Sequence, residues 1–373
     1  VRPQLAIVAA VLRLDNILLN LLRRILYRKP QQPGRILIFR TGSLGDNLCA
    51  IPSIIAIRKH FPDAALHILA NAGRSSLVTL EKLLSPVYYD RIIDYSGFTK
   101  KELFRLLREK KYDLVVYLPQ VDVPMTSLIR DLFFFRLIAR SGFGWRKSSI
   151  PFFRLAQERH GVFENELTRL RLLLRDNGIE KFDTDFGLHT TEADEQIVRE
   201  VFARAGLTNR DRNIALVVGA KRPQNRWPIA YFKAVAEHFH DRFNLILIGG
   251  PEDHALADPL LGLSGVFDFC GRFTPVQSAL ALKHCALTLS NDTGPMHLSY
   301  AVGTPTIALF SSRDMPGKWF PPASSKNKVF RTSGVACAAC FSETCTDNIC
   351  MKAIDPSVVR QTMEEMIKGL NLE

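Results

Sequence analysis

Asn291–Phe310 reads NDTGPMHLSYAVGTPTIALF, in which turn, helix and strand signals follow one another without a break. It follows the apolar run Ala286–Ser290, ALTLS, which predicts a buried strand. Asp292, Thr293 and Gly294 form a turn, and Pro295 suits the first helical position, where its missing N–H costs nothing. Met296, Leu298, Tyr300, Ala301 and Val302 give the helix an apolar side, Gly303 ends it, and Thr304–Phe310 returns as a strand. A strand–turn–helix–strand unit of this kind places N–H donors and a partial positive charge at the helix N-terminus, which suits a phosphate. The same residues also serve a plainer purpose, because Asp292 and Thr293 are good helix caps.

The 373 residues, with 47% apolar composition, accommodate two domains with substantial cores. A net charge of +12 calls for an anionic partner such as a phosphorylated substrate or acidic lipid. Nucleic acid is not expected, since no recognised module is present and the basic residues alternate with long apolar runs. Seven cysteines in a chain this large fit a reducing compartment.

Residues 1–33 predict a basic amphipathic helix ended by Pro30 and Pro33, with Val1–Arg35 carrying a net +6. Arg13 and Asp15 hold its apolar run below the ~18 residues of a spanning helix, and no small-residue cleavage site is present. It fits either an anionic membrane surface, through residues 1–29, or the body of the protein; the basic flank favours the membrane. Arg35–Arg40 predicts a buried strand, Thr41–Asp46 (TGSLGD) a glycine-bearing turn and Asn47–His60 a helix. The alternation continues: strands at Ala65–Ala70, Arg91–Tyr95 and Asp113–Leu118, helices near Ser75–Leu84 and Lys100–Lys110. Pro124–Lys147 reads as an amphipathic helix with a basic side, or as a pocket wall for an anionic acceptor through Arg130, Arg136 and Arg140. A helix at Glu164–Asn177 capped by Gly178 closes the first half, with a linker near Thr184–Thr191. The second half repeats the pattern, with strands at Asn213–Val218, Phe243–Ile248 and Val266–Gly271, and helices at Pro228–His240 and Pro275–His284. Strands alternating with helices imply parallel sheets, with a ligand in the cleft between two α/β domains. The missing G-x-G-x-x-G and G-K-[ST] patterns argue against a nicotinamide enzyme and a P-loop.

Three segments in order, RILIFRTGSLGDNLCAIPS at Arg35–Ser53, GAKRPQNRWP at Gly219–Pro228 and SNDTGPMHLSYAVGTPTIALF at Ser290–Phe310, resemble glycosyltransferase family nine, the ADP-heptose–lipopolysaccharide heptosyltransferases. The resemblance covers Arg35 to the C-terminus. It implies an α/β GT-B fold of two Rossmann-like domains facing across a cleft, which divides this chain into an acceptor domain at 34–188, a donor domain at 189–355 and a closing helix at 356–373. Such helices often cross back to the first domain. It further implies inverting, metal-independent and cofactor-free sugar transfer from a nucleotide-diphosphate donor, ADP-heptose, to a lipopolysaccharide-core or other anionic lipid-linked glycan. A cytoplasmic location on the inner face of a bacterial inner membrane goes with it. Asp46 matches the family's general base, with Ser43 beside it on the acceptor side; the plainer role for Asp46 is an N-cap.

On the donor side the resemblance assigns the diphosphate to Thr293 and Gly294, the donor sugar to Asp292 and the nucleoside to Glu252. His297 either faces the phosphates or packs. The family's lysine two residues before the tryptophan is Asn225 here. Either Lys221, Arg222 or Arg226 supplies that charge from a shifted loop, or the donor differs or activity is reduced. Cys337, Cys340, Cys345 and Cys350 follow a C-x2-C-x4-C-x4-C spacing, open to a zinc shell but read as a packed thiol-rich loop without metal. A non-catalytic glycan-binding or scaffold protein and a sugar-nucleotide epimerase are the alternatives, the first favoured by Asn225 and opposed by Asp46 and the DTG turn.

Overall fold

The structure is a computed structural model that describes residues 2–28, 32–71, 78–121, 123–147, 164–183 and 185–372. The chain divides into two compact units, Val1–His160 with Glu166–His189, and Gly161–Asn165 with Thr190–Glu373. Each holds one parallel sheet.

In the first unit the strands are β1 Arg35–Phe39, β2 Ala65–Ala70, β3 Arg91–Asp94, β4 Tyr112–Tyr117 and β5 Ala139–Phe143, in the order β3-β2-β1-β4-β5. Ile36 pairs with Leu66 on one side and Leu114 on the other, and Ile36, Leu37 and Ile38 are fully buried. This is why β1 reads as an unbroken apolar run: a central parallel strand is covered on both faces. The helix Leu44–His60 is buried from Asn47 to Ile57 and packs against Glu166–Arg175.

The helix Arg2–Leu26, α1, docks on this unit through one face only. Leu19 is fully buried among Tyr27, Leu128, Leu132 and Phe135. Asn16 exchanges hydrogen bonds with the Lys147 backbone, and the Tyr27 hydroxyl donates to the Leu132 carbonyl at 2.6 Å. Lys29 and Pro30 lie outside the described residues, as does Thr184 of the expected linker. Among the described residues no helix is long and apolar enough to cross a membrane.

The second unit contains β6 Asn213–Val217, β7 Asn244–Leu247, β8 Val266–Asp268, β9 Leu287–Asn291, β10 Thr306–Phe310 and β11 Asn327–Arg331, in the order β11-β10-β9-β6-β7-β8. Its core joins Leu216, Leu289 and Leu309 to Trp227, Phe232 and Phe239. The closing helix Pro356–Gly369 contributes Val359, Met363 and Ile367 to that same core, so it is an integral part of the second unit.

Some elements differ from expectation. Pro124–Lys147 is not one helix but the helix Met125–Arg136 followed by β5, because Ala139–Phe143 finds a partner edge on β4. Within Ser75–Leu84 the described residues 78–84 hold the short 3-10 turn Leu80–Lys82, and Ser75–Leu77 lie outside the described residues. β11 is half-buried and polar, a pattern that periodicity does not flag.

Candidate active site

In the first sheet, sequence order reverses between β1 and β4. Open α/β sheets bind ligands outside the C-terminal strand ends at such a switch point. The Thr41–Asp46 turn leaves β1 there. Gly42 has φ +147°, donates its N–H to Asn71 Oδ1 at 3.0 Å, and would bring a Cβ to 2.2 Å from that of Asp46. Only glycine fits both the dihedral and the close approach. Ser43 precedes the helix Leu44–His60 and donates its N–H and hydroxyl to Asp46 Oδ2 at 2.9 and 2.8 Å. Asp46 is therefore the third residue of the helix, not its N-cap. Its side chain is 15% exposed, and Oδ1 lies 3.7 Å from the Arg40 guanidinium.

Arg40 is fully buried beneath this turn. It donates to the Asp46 carbonyl at 2.8 Å and to the Pro119 carbonyl at 3.2 Å, and pairs with Glu166 at 3.1 Å. Arg169 grips the other side of Glu166 at 2.7 Å. Burial pushes the Glu166 carboxyl up, but Arg169 and Arg40 outweigh it and hold it below the usual carboxylate range.

The second sheet reverses between β6 and β9. The loop after β6 carries Lys221, Arg222, Asn225 and Arg226, and the turn after β9 carries Asp292 and Thr293, so both loops leave the same switch point. Asn225 donates to Asp292 Oδ2 at 3.0 Å and accepts from the Ser311 hydroxyl at 2.7 Å. Asn291 ties the two loops together, accepting from the Trp227 N–H at 2.9 Å and donating to the Val218 carbonyl at 2.8 Å. Thr293 occupies the N-cap of the helix Gly294–Ala301 without a capping hydrogen bond from its side chain, and Asp292 is turned to Asn225. Thr293 thus holds the expected cap position, but its side chain is not spent on a capping hydrogen bond.

Burial, reinforced by Asp314, pushes the Asp292 carboxyl up to about 7 against the pull of Arg222, Lys318 and Arg313. Arg226 donates to the Ala220 carbonyl at 2.9 Å, Arg222 pairs with Glu343 at 3.3 Å, and Lys221 is exposed. His297 is buried, shares a 2.8 Å hydrogen bond with the Tyr300 hydroxyl and stands edge-on to Trp319; burial lowers its pKa to about 4, so it is neutral. Glu252 is exposed after the Gly249–Gly250 turn.

The structure does not bring Arg130, Arg136 and Arg140 together with Asp46. Arg130 is exposed and paired with Asp131 at 2.8 Å. Arg136 ends its helix and Arg140 is the second residue of β5, which puts both at the N-terminal edge of a parallel sheet whose C-terminal edge carries Asp46. The four clustered cysteines are free thiols, Cys337, Cys340 and Cys345 exposed and Cys350 buried. Among the described residues no group of three or more His, Cys, Asp or Glu side chains is placed to hold a metal.

Sequence reading missed the supports of the site. Arg40 and Glu166 are 126 positions apart, and only folding joins them. Asp253 accepts the Gly250 N–H at 2.9 Å and lies where a Cβ at Gly219 or Gly249 would collide with it; burial raises its pKa. Arg313, Asp314 and Lys318 follow β10 at the same sheet edge. Their position just after a strand was the available signal.

A family model described as glycosyltransferase family 9 (heptosyltransferase) matches residues 101–350. Lipopolysaccharide heptosyltransferase 3 of Escherichia coli is 26% identical over 293 residues, 72% of this chain and 81% of that protein. A glycosyl transferase family 9 structure from Veillonella parvula DSM 2008 superposes with a TM-score of 0.69 at 20% identity, covering 92% of this chain and 99% of that one. The E. coli heptosyltransferase WaaC with ADP-2-deoxy-2-fluoro heptose gives a TM-score of 0.60 at 19% identity, covering 89% and 99%. With two parallel sheets and switch-point loops of this kind, the chain has the GT-B fold and belongs to glycosyltransferase family 9.

Proposed function

We propose that this chain is an inverting heptosyltransferase that moves heptose from ADP-heptose to a lipopolysaccharide-core or other anionic lipid-linked glycan. The observation that carries the reading is the coincidence of Asp46 and of the Asn225–Asp292–Thr293 cluster with the switch points of their respective sheets. Asp46 Oδ2 is occupied by both Ser43 donors, which orients Oδ1 to accept a proton. The acceptor hydroxyl passes its proton to that oxygen and attacks the anomeric carbon. The bond from that carbon to the diphosphate oxygen breaks, and ADP leaves with the electron pair. Backbone donors at Thr293 and Gly294, with the cations of the Lys221–Arg226 loop, stabilise the departing charge. The relatives' names, which specify heptose, lipopolysaccharide and an ADP-linked donor analogue, support this choice of substrates.

Asp46→Asn keeps an acceptor for Ser43 and removes the base. Turnover is expected to fall by about 10²–10⁴-fold, with ADP affinity and the thermal midpoint little changed. Near-normal turnover with an intact fold would refute the assignment.

A second reading is a non-catalytic glycan-binding protein derived from a transferase. It rests on Asn225, which is committed to Asp292 and Ser311 and brings no charge to the diphosphate. Calorimetric titration with ADP, GDP, UDP and CDP separates the two. Selective ADP binding supports the transferase, and no binding to any of the four supports the second reading.

A further inference from the structure

Two features at one edge of the first unit are not used by the chemistry above. The first is the outer face of α1. Ile7, Val11, Leu14, Leu18, Leu21 and Ile25 are each between 43% and 69% exposed. Their spacing of four, three, four, three and four residues sets them in one stripe, about 27 Å long at 1.5 Å per residue. The inner face is already committed to the core through Leu19.

The second is an open pocket of about 830 Å³ at the C-terminal end of α1 and the N-terminal edge of β4 and β5. Arg28, Arg108, Lys111, Arg136 and Arg140 line it, with Leu137, 63% exposed, in its wall. Its one carboxylate, Asp113, is engaged by the Gly34 and Arg35 N–H groups, both at 2.9 Å. Arg136 donates to the Leu26 carbonyl at 2.6 Å and so joins the pocket to the end of the helix. Among the described residues none of the five cations is ion-paired.

We propose that the α1 stripe and this pocket together form a docking surface for an anionic phospholipid bilayer, α1 lying in the interface and the pocket receiving lipid phosphate. Charge complementarity selects the occupant: a second copy of the chain would bring the same unpaired cations to the contact, whereas an anionic leaflet neutralises them and accepts the apolar stripe.

Vesicle flotation of the full chain tests this without any sugar donor, so its failure leaves the transferase reading untouched. Wild-type protein is expected to float with phosphatidylcholine vesicles containing 30% phosphatidylglycerol and not with phosphatidylcholine alone. A basic residue near an anionic surface contributes about fivefold in partitioning, so Arg108→Gln/Lys111→Asn/Arg140→Gln should weaken binding roughly 100-fold. All three side chains are exposed, and an unchanged circular dichroism melt verifies the fold. Leu14→Asp/Leu21→Asp should also lose binding. Equal binding to both vesicle types, or retention by either variant, overturns the proposal. So does sedimentation velocity showing a lipid-free dimer that Leu14→Asp/Leu21→Asp dissociates.

Discussion

Glu166→Gln isolates what holds the Asp46 turn in place. Glu166 and Arg40 are both fully buried, and the carboxylate accepts from Arg40 at 3.1 and 3.2 Å and from Arg169 at 2.7 and 2.8 Å. The glutamine keeps the volume, so no cavity opens, but one negative charge between two buried guanidiniums disappears. Breaking a buried ion pair from one side costs about 3–5 kcal/mol, because the remaining charge is left uncompensated. For a unit of this size that is roughly 6–20 °C in Tm. The dependence on pH follows from the carboxyl being held below its usual range. Its contribution is present above the unfolded value of about 4.3 and is lost as pH falls through the lower folded value. Thermal and urea melts of wild type and variant should therefore differ most at pH 6–7 and converge toward pH 3. A destabilisation under about 1 kcal/mol at neutral pH, or a gap that persists unchanged at pH 3, would refute the reasoning.

Two further outcomes follow from the sites themselves. Gly42→Ala must place a Cβ at φ +147° and 2.2 Å from the Asp46 Cβ. It should cost about 1–3 kcal/mol and lower kcat/KM by displacing the carboxylate; a thermal melt and a steady-state assay check both. Asp292, raised to about 7 by burial and Asp314, is largely protonated at pH 6 and ionised at pH 8. ADP affinity should therefore weaken as pH rises through 7, and Asp292→Asn should flatten that profile in calorimetry.

Much of the fold and part of the site is local chemistry. β1, β6 and β10 are nearly continuous apolar runs because central parallel strands are covered on both faces, and such runs are visible in the sequence alone. Glycine-bearing turns such as Thr41–Asp46 and Asp292–Gly294 mark strand ends for equally local reasons, and the family resemblance through which Asp46, Asn225 and Asp292 were assigned their roles is carried by these turns and the Gly219–Pro228 loop. β5 could not, because ARSGF has no apolar alternation and becomes a strand through its pairing with β4. Nor could the buried Arg40–Glu166–Arg169 group or the placement of Asp253 against Gly219 and Gly249, since each joins residues distant in sequence. The amphipathic helix at the N-terminus marks the boundary. Its sequence determines that α1 is helical, apolar and basic, because periodicity is a property of the helix alone. Only the tertiary structure decides that Leu19 faces the core while Ile7 to Ile25 face outward, because which stripe is covered depends on Leu128, Leu132 and Phe135, more than a hundred residues further along the chain.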